Sequence, residues 1–298
     1  MIIVKLIGGL GNQMFQYAAG RRLAHRLGTR FKLDIRYFES DVVRTYALRH
    51  LKIQESVASA KEIQSVFQKD EGRHSPIAWY TRLLGKNYTI IKEDPTPSFV
   101  PELFTVRGNV YLDGYWQSEQ YFHDIAEIIR TEFEMRSVPN EDNQRLLHII
   151  LDTNSVCIHM RRTDYVTNTA SNLFHGSLPL KYYLHCVRII QEHVQQPHFF
   201  LFSDDPPWTG RTIRINAPTT YVSHNPPETA YEDLRLMSRC KHFIIANSSF
   251  SWWGAWLSRN PGKIVLAPRL WFRERSVSDG HIVPRSWQKV DVAYEGTA

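Results

Sequence analysis

From residue 141 to residue 267 short apolar runs alternate with stretches of helical period, and this alternation restricts the fold to a parallel sheet covered on both faces. Strands are expected at 155–160, 198–203, 219–223, 242–246 and 263–267, and helices at 141–151, 228–239 and 249–258. A further helix opens at Pro179, with Tyr183, Val187, Ile190 and Val194 as its apolar stripe. The first part of the chain uses the same grammar less regularly. Residues 1–7 form a short apolar run without a cleavage site after it and read as a buried strand, not a signal peptide. Phe15, Ala19, Leu23 and Leu27 then share one helix face, which Gly28 is placed to end. Strands are expected up to Asp34, at 88–92 and at 110–113, and helical stretches at 60–69 and 76–84. Pro95, Pro97 and Pro101 mark a loop, and Phe122, Ile125, Ile129 and Phe133 line a later helix. The polar stretch Arg136–Asn143 interrupts this periodicity. It divides the chain into domains 1–138 and 139–298, each α/β, with parallel sheets facing a central cleft.

Ligands of open α/β sheets collect outside the carboxyl ends of the strands, and the polar residues of this chain concentrate there. The strand at 155–160 runs into His159-Met160-Arg161-Arg162-Thr163-Asp164. Two arginines offer planar donor forks that match phosphate oxygens in pairs; the plainer reading is a surface ion pair with Asp164. Strand 198–203 ends in Asp204-Asp205, which can ligate a metal or accept from ribose hydroxyls and a base, and the arginine charge favours the second use. Strand 242–246 leads into Asn247-Ser248-Ser249-Phe250-Ser251-Trp252-Trp253-Gly254, where a helix begins and leaves backbone N–H groups facing outward. Ser248 reads equally as a plain helix cap, and the tryptophans as core. Gly8-Gly9-Leu10-Gly11-Asn12 makes a similar turn after the first strand. With Asp34 it gives half of a dinucleotide fingerprint, but Met14 stands where the third glycine belongs. After Leu112 comes Asp113-Gly114-Tyr115-Trp116-Gln117-Ser118, whose aromatics suit sugar stacking as well as a core. The same two readings apply to Trp79, Tyr80 and Phe99.

The chain has 298 residues and a formal charge of +6, enough length for two domains and a sign that favours anionic partners. Nucleic-acid binding lacks a recognition motif and a long basic run. Three cysteines, Cys157, Cys186 and Cys240, cannot all pair internally and read as buried thiols of a cytosolic protein. No apolar run reaches the length of a membrane span.

Taken in order, these segments resemble glycosyltransferase family 11, the α1,2-fucosyltransferases. Gly9-Leu10-Gly11-Asn12-Gln13-Met14-Phe15-Gln16-Tyr17-Ala18 is similar to the family's opening motif, and His159–Asp164 matches the HxRRxD motif of fucosyltransferases making 1,2 and 1,6 links. The stretches 113–118 and 247–254 look like further family segments, so the likeness covers most of the chain.

The resemblance implies a GT-B-like fold of two Rossmann-like domains, with 1–138 on the acceptor side. It implies GDP-fucose binding by 139–298, with room for the last residues to pack back on the first domain. It further implies an inverting, metal-independent transfer of fucose to the 2-hydroxyl of a terminal β-galactoside, within a bacterial polysaccharide, an O-antigen-like glycan or a lipid-linked glycan. Carried over by motif, Arg161 and Arg162 meet the diphosphate, and His159 and Asp164 shape that site. Asp204, and less directly Asp205, face guanosine; Ser248, Ser249 and Phe250 contact phosphate and sugar; Gly11 and Asn12 face the donor. A cytoplasmic enzyme, at most peripheral at the inner membrane face, is implied as well. The catalytic base is not carried over, because Tyr165 and Thr169 replace the lysine and glutamate of the 1,6-linking pattern. Asp164, His159 and base-free activation of the acceptor stay open. A nicotinamide-dependent oxidoreductase using Gly9, Gly11 and Asp34 is the alternative, and it leaves the arginines unexplained.

Overall fold

The computed structural model describes residues 1–41, 43–67, 82–84 (backbone only), 88–93, 99–162, 173–274 and 279–292. They cluster into two compact units, Met1–Arg136 with Gly280–Ile282, and Ser137–Asp279 with Val283–Ala298.

In the first unit β1 (Ile2–Lys5), β2 (Phe31–Asp34), β3 (Arg82–Leu84), β4 (Thr89–Lys92) and β5 (Val110–Asp113) form one sheet, ordered β2-β1-β5-β4-β3. All pairs are parallel except β3–β4, which is antiparallel. The expected helix at 76–84 is therefore corrected at its end: residues 82–84 are an edge strand, and the rest lies outside the described residues. The expected helix through Phe122 is also shorter, since only Ala126–Glu132 is α-helical and Phe122 and Ile125 sit in the 3-10 turns before it. All four of its apolar residues are nonetheless buried.

The Leu10–Leu27 helix packs on this sheet so closely that most of its circumference is buried, not one stripe. Gly20 permits the approach, because a Cβ there would stand 2.7 Å from the Phe31 ring and 3.1 Å from Val4 Cβ. Gly28 ends the helix in the left-handed conformation, at φ 56°.

In the second unit β6 (Asn154–Met160), β7 (Pro197–Ser203), β8 (Thr219–Val222), β9 (His242–Ile244), β10 (Val265–Pro268) and β11 (Gln288–Val290) make an all-parallel sheet. Its order is β11-β10-β9-β6-β7-β8. The short strand β11 has no counterpart in the sequence reading. The four expected helices match to within a turn, a further helix at Pro206–Thr212 was not expected, and all three cysteines are free and buried. Trp252 and Trp253 are fully buried and pack with Trp256, as core residues.

Both orders reverse direction once. From β1 the chain goes outward to β2 and later returns on the other side through β5; from β6 it goes outward to β7 and β8 and returns through β9. Such a reversal opens a crevice at the carboxyl ends of the two central strands. The crevices lie at β1/β5 and β6/β9.

A buried charge network braces the first unit. Glu132 accepts from the Tyr17 hydroxyl at 2.6 Å and from Arg21 Nε at 3.0 Å, while Tyr17 accepts the Gln54 N–H at 3.0 Å. Removing one member of a buried pair leaves the other charge unsolvated, at a cost of about 3–5 kcal/mol. Glu132→Ala is accordingly expected to lower the unfolding midpoint sharply in a denaturant titration, and Glu132→Gln by less. Equal midpoints for Glu132→Ala and wild type would show that this network carries no stability.

Candidate functional site

β6 lies in register between its neighbours, with Met160 opposite Ser203 and Ile158 opposite Ile244. The chain therefore leaves the sheet side by side at Arg161-Arg162, at Asp204-Asp205 and at Ala246–Ser249, which brings most of the sequence-derived candidates together at the β6/β9 crevice. Arg161 Nη1 lies 3.2 Å from Asp204 Oδ2, and Arg162 Nε lies 3.4 Å from Asp205 Oδ2. The Arg162 backbone N–H donates to Asp204 Oδ1 at 2.8 Å. The guanidinium of Arg162 sits 4.0 Å over the Trp208 ring, a cation–π contact that the sequence reading missed. Asp205 also caps the Pro206–Thr212 helix, accepting the Trp208 N–H at 3.2 Å, and its own N–H donates to Ser203 Oγ at 3.0 Å. The acidic pair thus holds the arginine forks in place, a role not foreseen when it was assigned to guanosine. Both ion pairs keep about a fifth to a third of their side-chain surface open to solvent.

His159 is 5% exposed and its Nδ1 lies 2.5 Å from Ser251 Oγ. Ser251 already accepts the Ala246 N–H at 3.2 Å, so its own proton points to Nδ1 and the imidazole proton belongs on Nε2. Burial holds the imidazole down to about 4; Asp204 opposes that shift and Arg161 adds to it. His159 is thus a neutral joint between β6 and the Ser249–Leu257 helix, with the Phe250 ring 5.5 Å from its own. Asn247 fastens the preceding turn, donating to the carbonyls of His175, Gly176 and Trp271 at 2.9, 3.1 and 3.2 Å. Ser248 occupies the cap position, yet its side chain makes no capping bond. Asp164 lies outside the described residues, as do Trp79 and Tyr80.

The β1/β5 crevice holds the glycine turn. Gly8 has φ +75°, and a Cβ on it would meet Asn12 Nδ2 at 2.8 Å. Asn12 Oδ1 accepts from Gln117 Nε2 at 2.8 Å, joining this turn to the loop after β5. Gly11 lies buried in the first turn of the helix. Two buried amides staple the turn: Gln13 donates to Gly8 and Thr45 carbonyls and accepts from the Ala47 N–H, and Gln16 accepts from the Ile7 N–H. Asp34 is not available to a ribose, because Arg36 binds it through two nitrogens and the Tyr111 hydroxyl donates to it at 2.7 Å. The dinucleotide reading loses its acidic anchor. Trp116 is fully buried at φ 55°, so of the aromatics in this loop only Tyr115, 42% exposed, can meet a sugar.

The profile of glycosyl transferase family 11 matches residues 1–290. An α-1,2-colitosyltransferase of Escherichia coli is 31% identical over 98% of this chain and 99% of its own length. The O-antigen biosynthesis glycosyltransferase WbnK of Escherichia coli is 36% identical over 90% of this chain and 93% of its own. The galactoside α-(1,2)-fucosyltransferase 1 of Rattus norvegicus is 28% identical over 49% of this chain and 41% of its own length. Among solved structures, fucosyltransferase NodZ from Bradyrhizobium superposes with TM-score 0.51 at 14% identity, over 85% of this chain and 91% of its own, a likeness of fold.

A histidine held neutral by burial makes stability depend on pH. Its folded value lies below the ordinary one near 6.5, so the unfolded chain takes up the proton first and stability falls as pH drops from about 6.5 toward 4. Melting temperatures across that interval should fall less steeply in His159→Gln than in wild type. Parallel curves would mean that His159 does not titrate against folding.

Proposed function

Because the chain belongs to glycosyl transferase family 11, we propose that it transfers fucose from GDP-fucose to the 2-hydroxyl of a terminal β-galactoside, inverting the anomeric carbon. The observation that carries this reading is the pair of arginine forks, pre-set by Asp204 and Asp205, beside a helix start at a strand-order reversal. Such an array suits a nucleoside diphosphate. As the C1–O bond of the donor breaks, the sugar becomes oxocarbenium-like and negative charge grows on the departing diphosphate. Permanent guanidinium charges held in position stabilise that charge without reorganising. We assign the nucleotide to the second unit, with Ser248, Ser249 and Phe250 toward phosphate and sugar, Asp204 toward guanosine and Asp164 as a further shaping residue. We assign the acceptor to the first unit, with Gly11 and Asn12 in the first turn of its helix toward the donor. A bacterial O-antigen-like or lipid-linked glycan is the acceptor class, supported by the names of the Escherichia coli relatives. The buried free thiols suit a reducing cytoplasm, with contact to a membrane at most peripheral.

A second donor is favoured by one relative. Colitose is fucose without its 3-hydroxyl, and the colitosyltransferase matches almost the whole of this chain. Direct competition between GDP-fucose and GDP-colitose for a galactoside acceptor, read by mass spectrometry of the product, tests the choice. Preferential transfer of colitose would reassign the donor sugar while leaving the diphosphate site intact.

Lysine in place of either arginine keeps the charge but loses the fork. A hydrogen bond to a charged group is worth about 1.5–3 kcal/mol, so Arg161→Lys and Arg162→Lys should each weaken GDP binding roughly ten- to a hundredfold in calorimetry and slow turnover. Wild-type GDP affinity in both variants would remove these arginines from the donor site. Activity is also expected to survive EDTA, because the arginines supply the positive charge. Loss restored only by Mg²⁺ or Mn²⁺ would return Asp204 and Asp205 to a ligand role.

A further inference from the structure

One carboxylate at the strand ends differs from its peers. Asp34 is paired with Arg36, Asp113 with Lys5, Asp204 with Arg161 and Asp205 with Arg162. Glu93, the residue after β4, has no ion-pair partner among the described residues. Its N–H donates to the Asp113 carbonyl at 2.9 Å, so it extends the ladder one step beyond Lys92. Its carboxylate crosses the exit of β5, accepting the Tyr115 N–H at 2.5 Å and the Trp116 N–H at 3.1 and 3.2 Å. That crossing requires Gly114, where a Cβ would stand 2.4 Å from Glu93 Cβ. The loop it holds turns Tyr115 outward and sends Gln117 to Asn12 in the β1/β5 crevice.

The surroundings disfavour the charged form. Burial pushes Glu93 up to about 6, and the two backbone N–H bonds only partly offset it. The titratable groups facing it are the phenols of Tyr115 and Tyr121, both pushed upward chiefly by burial and hence neutral. Asp113, opposite Lys92 in the ladder, pairs with Lys5 at 3.1 Å, and Lys92 itself stands exposed one residue before Glu93. Tyr115, whose N–H the carboxylate accepts, is 42% exposed, so an open aromatic ring stands beside Glu93. A ring beside a carboxylate at a strand edge is a component of a sugar subsite.

We propose that Glu93 is the general base that takes the proton of the acceptor hydroxyl, in a subsite whose sugar rests on Tyr115. The inference rests on the transferase reading above. In the step, the acceptor oxygen forms the new bond to the fucosyl C1 and the C1–O bond to the diphosphate breaks. Its electron pair leaves on GDP, and the hydroxyl proton passes to Glu93. A base of this kind contributes typically about 10²–10⁴-fold when its pKa is tuned toward the working pH.

The test compares wild type, Glu93→Gln and Tyr115→Ala in transfer from GDP-fucose to a β-galactoside. Wild-type kcat should fall on the acid side with an apparent pKa near 6. Glu93→Gln should lose about 10²–10⁴ in kcat, lose that acid limb and bind GDP like wild type. Tyr115→Ala should raise the acceptor KM roughly tenfold, as truncated contact aromatics do, leaving GDP binding unchanged. A loop-holding role alone predicts a lower melting temperature and a higher acceptor KM for Glu93→Gln with the acid limb intact, and that result overturns the proposal. Should Glu93→Gln not fold, wild type still decides: a kcat flat between pH 5 and 7 removes Glu93 as base. Failure of the transferase reading shows separately, as wild type that transfers nothing to any galactoside.

Discussion

Everything at the candidate donor site depends on β6 pairing in parallel with both β7 and β9. A parallel pair cannot be joined by a tight turn, so each crossover carries a helix over a face of the sheet. Where successive crossovers depart to opposite sides, no backbone covers the strand ends between them. Arg161, Arg162, Asp204 and Ser249 gather there because register leaves no other exit. Adjacent guanidinium groups repel, and opposite carboxylates 3.2 and 3.4 Å away relieve that repulsion while fixing the forks. On the proposed reading a diphosphate would meet donors already aimed and would compete with carboxylates that are still partly hydrated and weakly held.

The first unit meets the same geometric problem with neutral amides at its glycine turn. Its reversal at β1/β5 is held by the neutral amides of Gln13 and Gln16, which satisfy buried backbone groups on both sides of the glycine turn. An unpaired N–H or C=O buried in that turn would cost more than the bond itself is worth. The crevice that results offers the amide groups of Gln117 and Asn12, with the Arg44 guanidinium close to Gly9.

Much of this was legible in the sequence for a plain reason. The strand and helix periods of 141–267 are dictated by burial, and burial is what a hydrophobic pattern records. The arginines, Ser248 and the glycine turn were legible because strand ends are where ligands collect. Partnerships made across the sheet were not. Nothing local to Asp204 or Asp205 shows that their oxygens face Arg161 and Arg162. Gln13 and Gln16 were visible only as letters of a motif, because what they bond is backbone. Trp116, equally a sugar platform or a core residue by sequence, is core, and its positive φ and complete burial have no local signature. β11, of three residues, is too short to show a period. Glu93 left one trace, an acidic residue just past a strand whose parallel neighbour ends in Asp-Gly, but reading it required knowing that β4 and β5 are paired.

Burial acts on two titratable groups here, and its opposite effects divide the chemistry. It strips His159 of its proton and makes Glu93 reluctant to lose one, because a low-dielectric setting disfavours whichever form is charged. A histidine neutral at physiological pH, with Nδ1 engaged by Ser251, has no proton of the right acidity to give a departing diphosphate. On the proposed reading the leaving group is stabilised by groups whose charge does not depend on pH, and arginine is a side chain that meets that requirement. A carboxylate near 6, by contrast, can hold a proton for the length of a turnover and lose it to neutral water. Charge that is permanent suits the side of the reaction where electrons arrive, and charge that is poised suits the side where a proton departs.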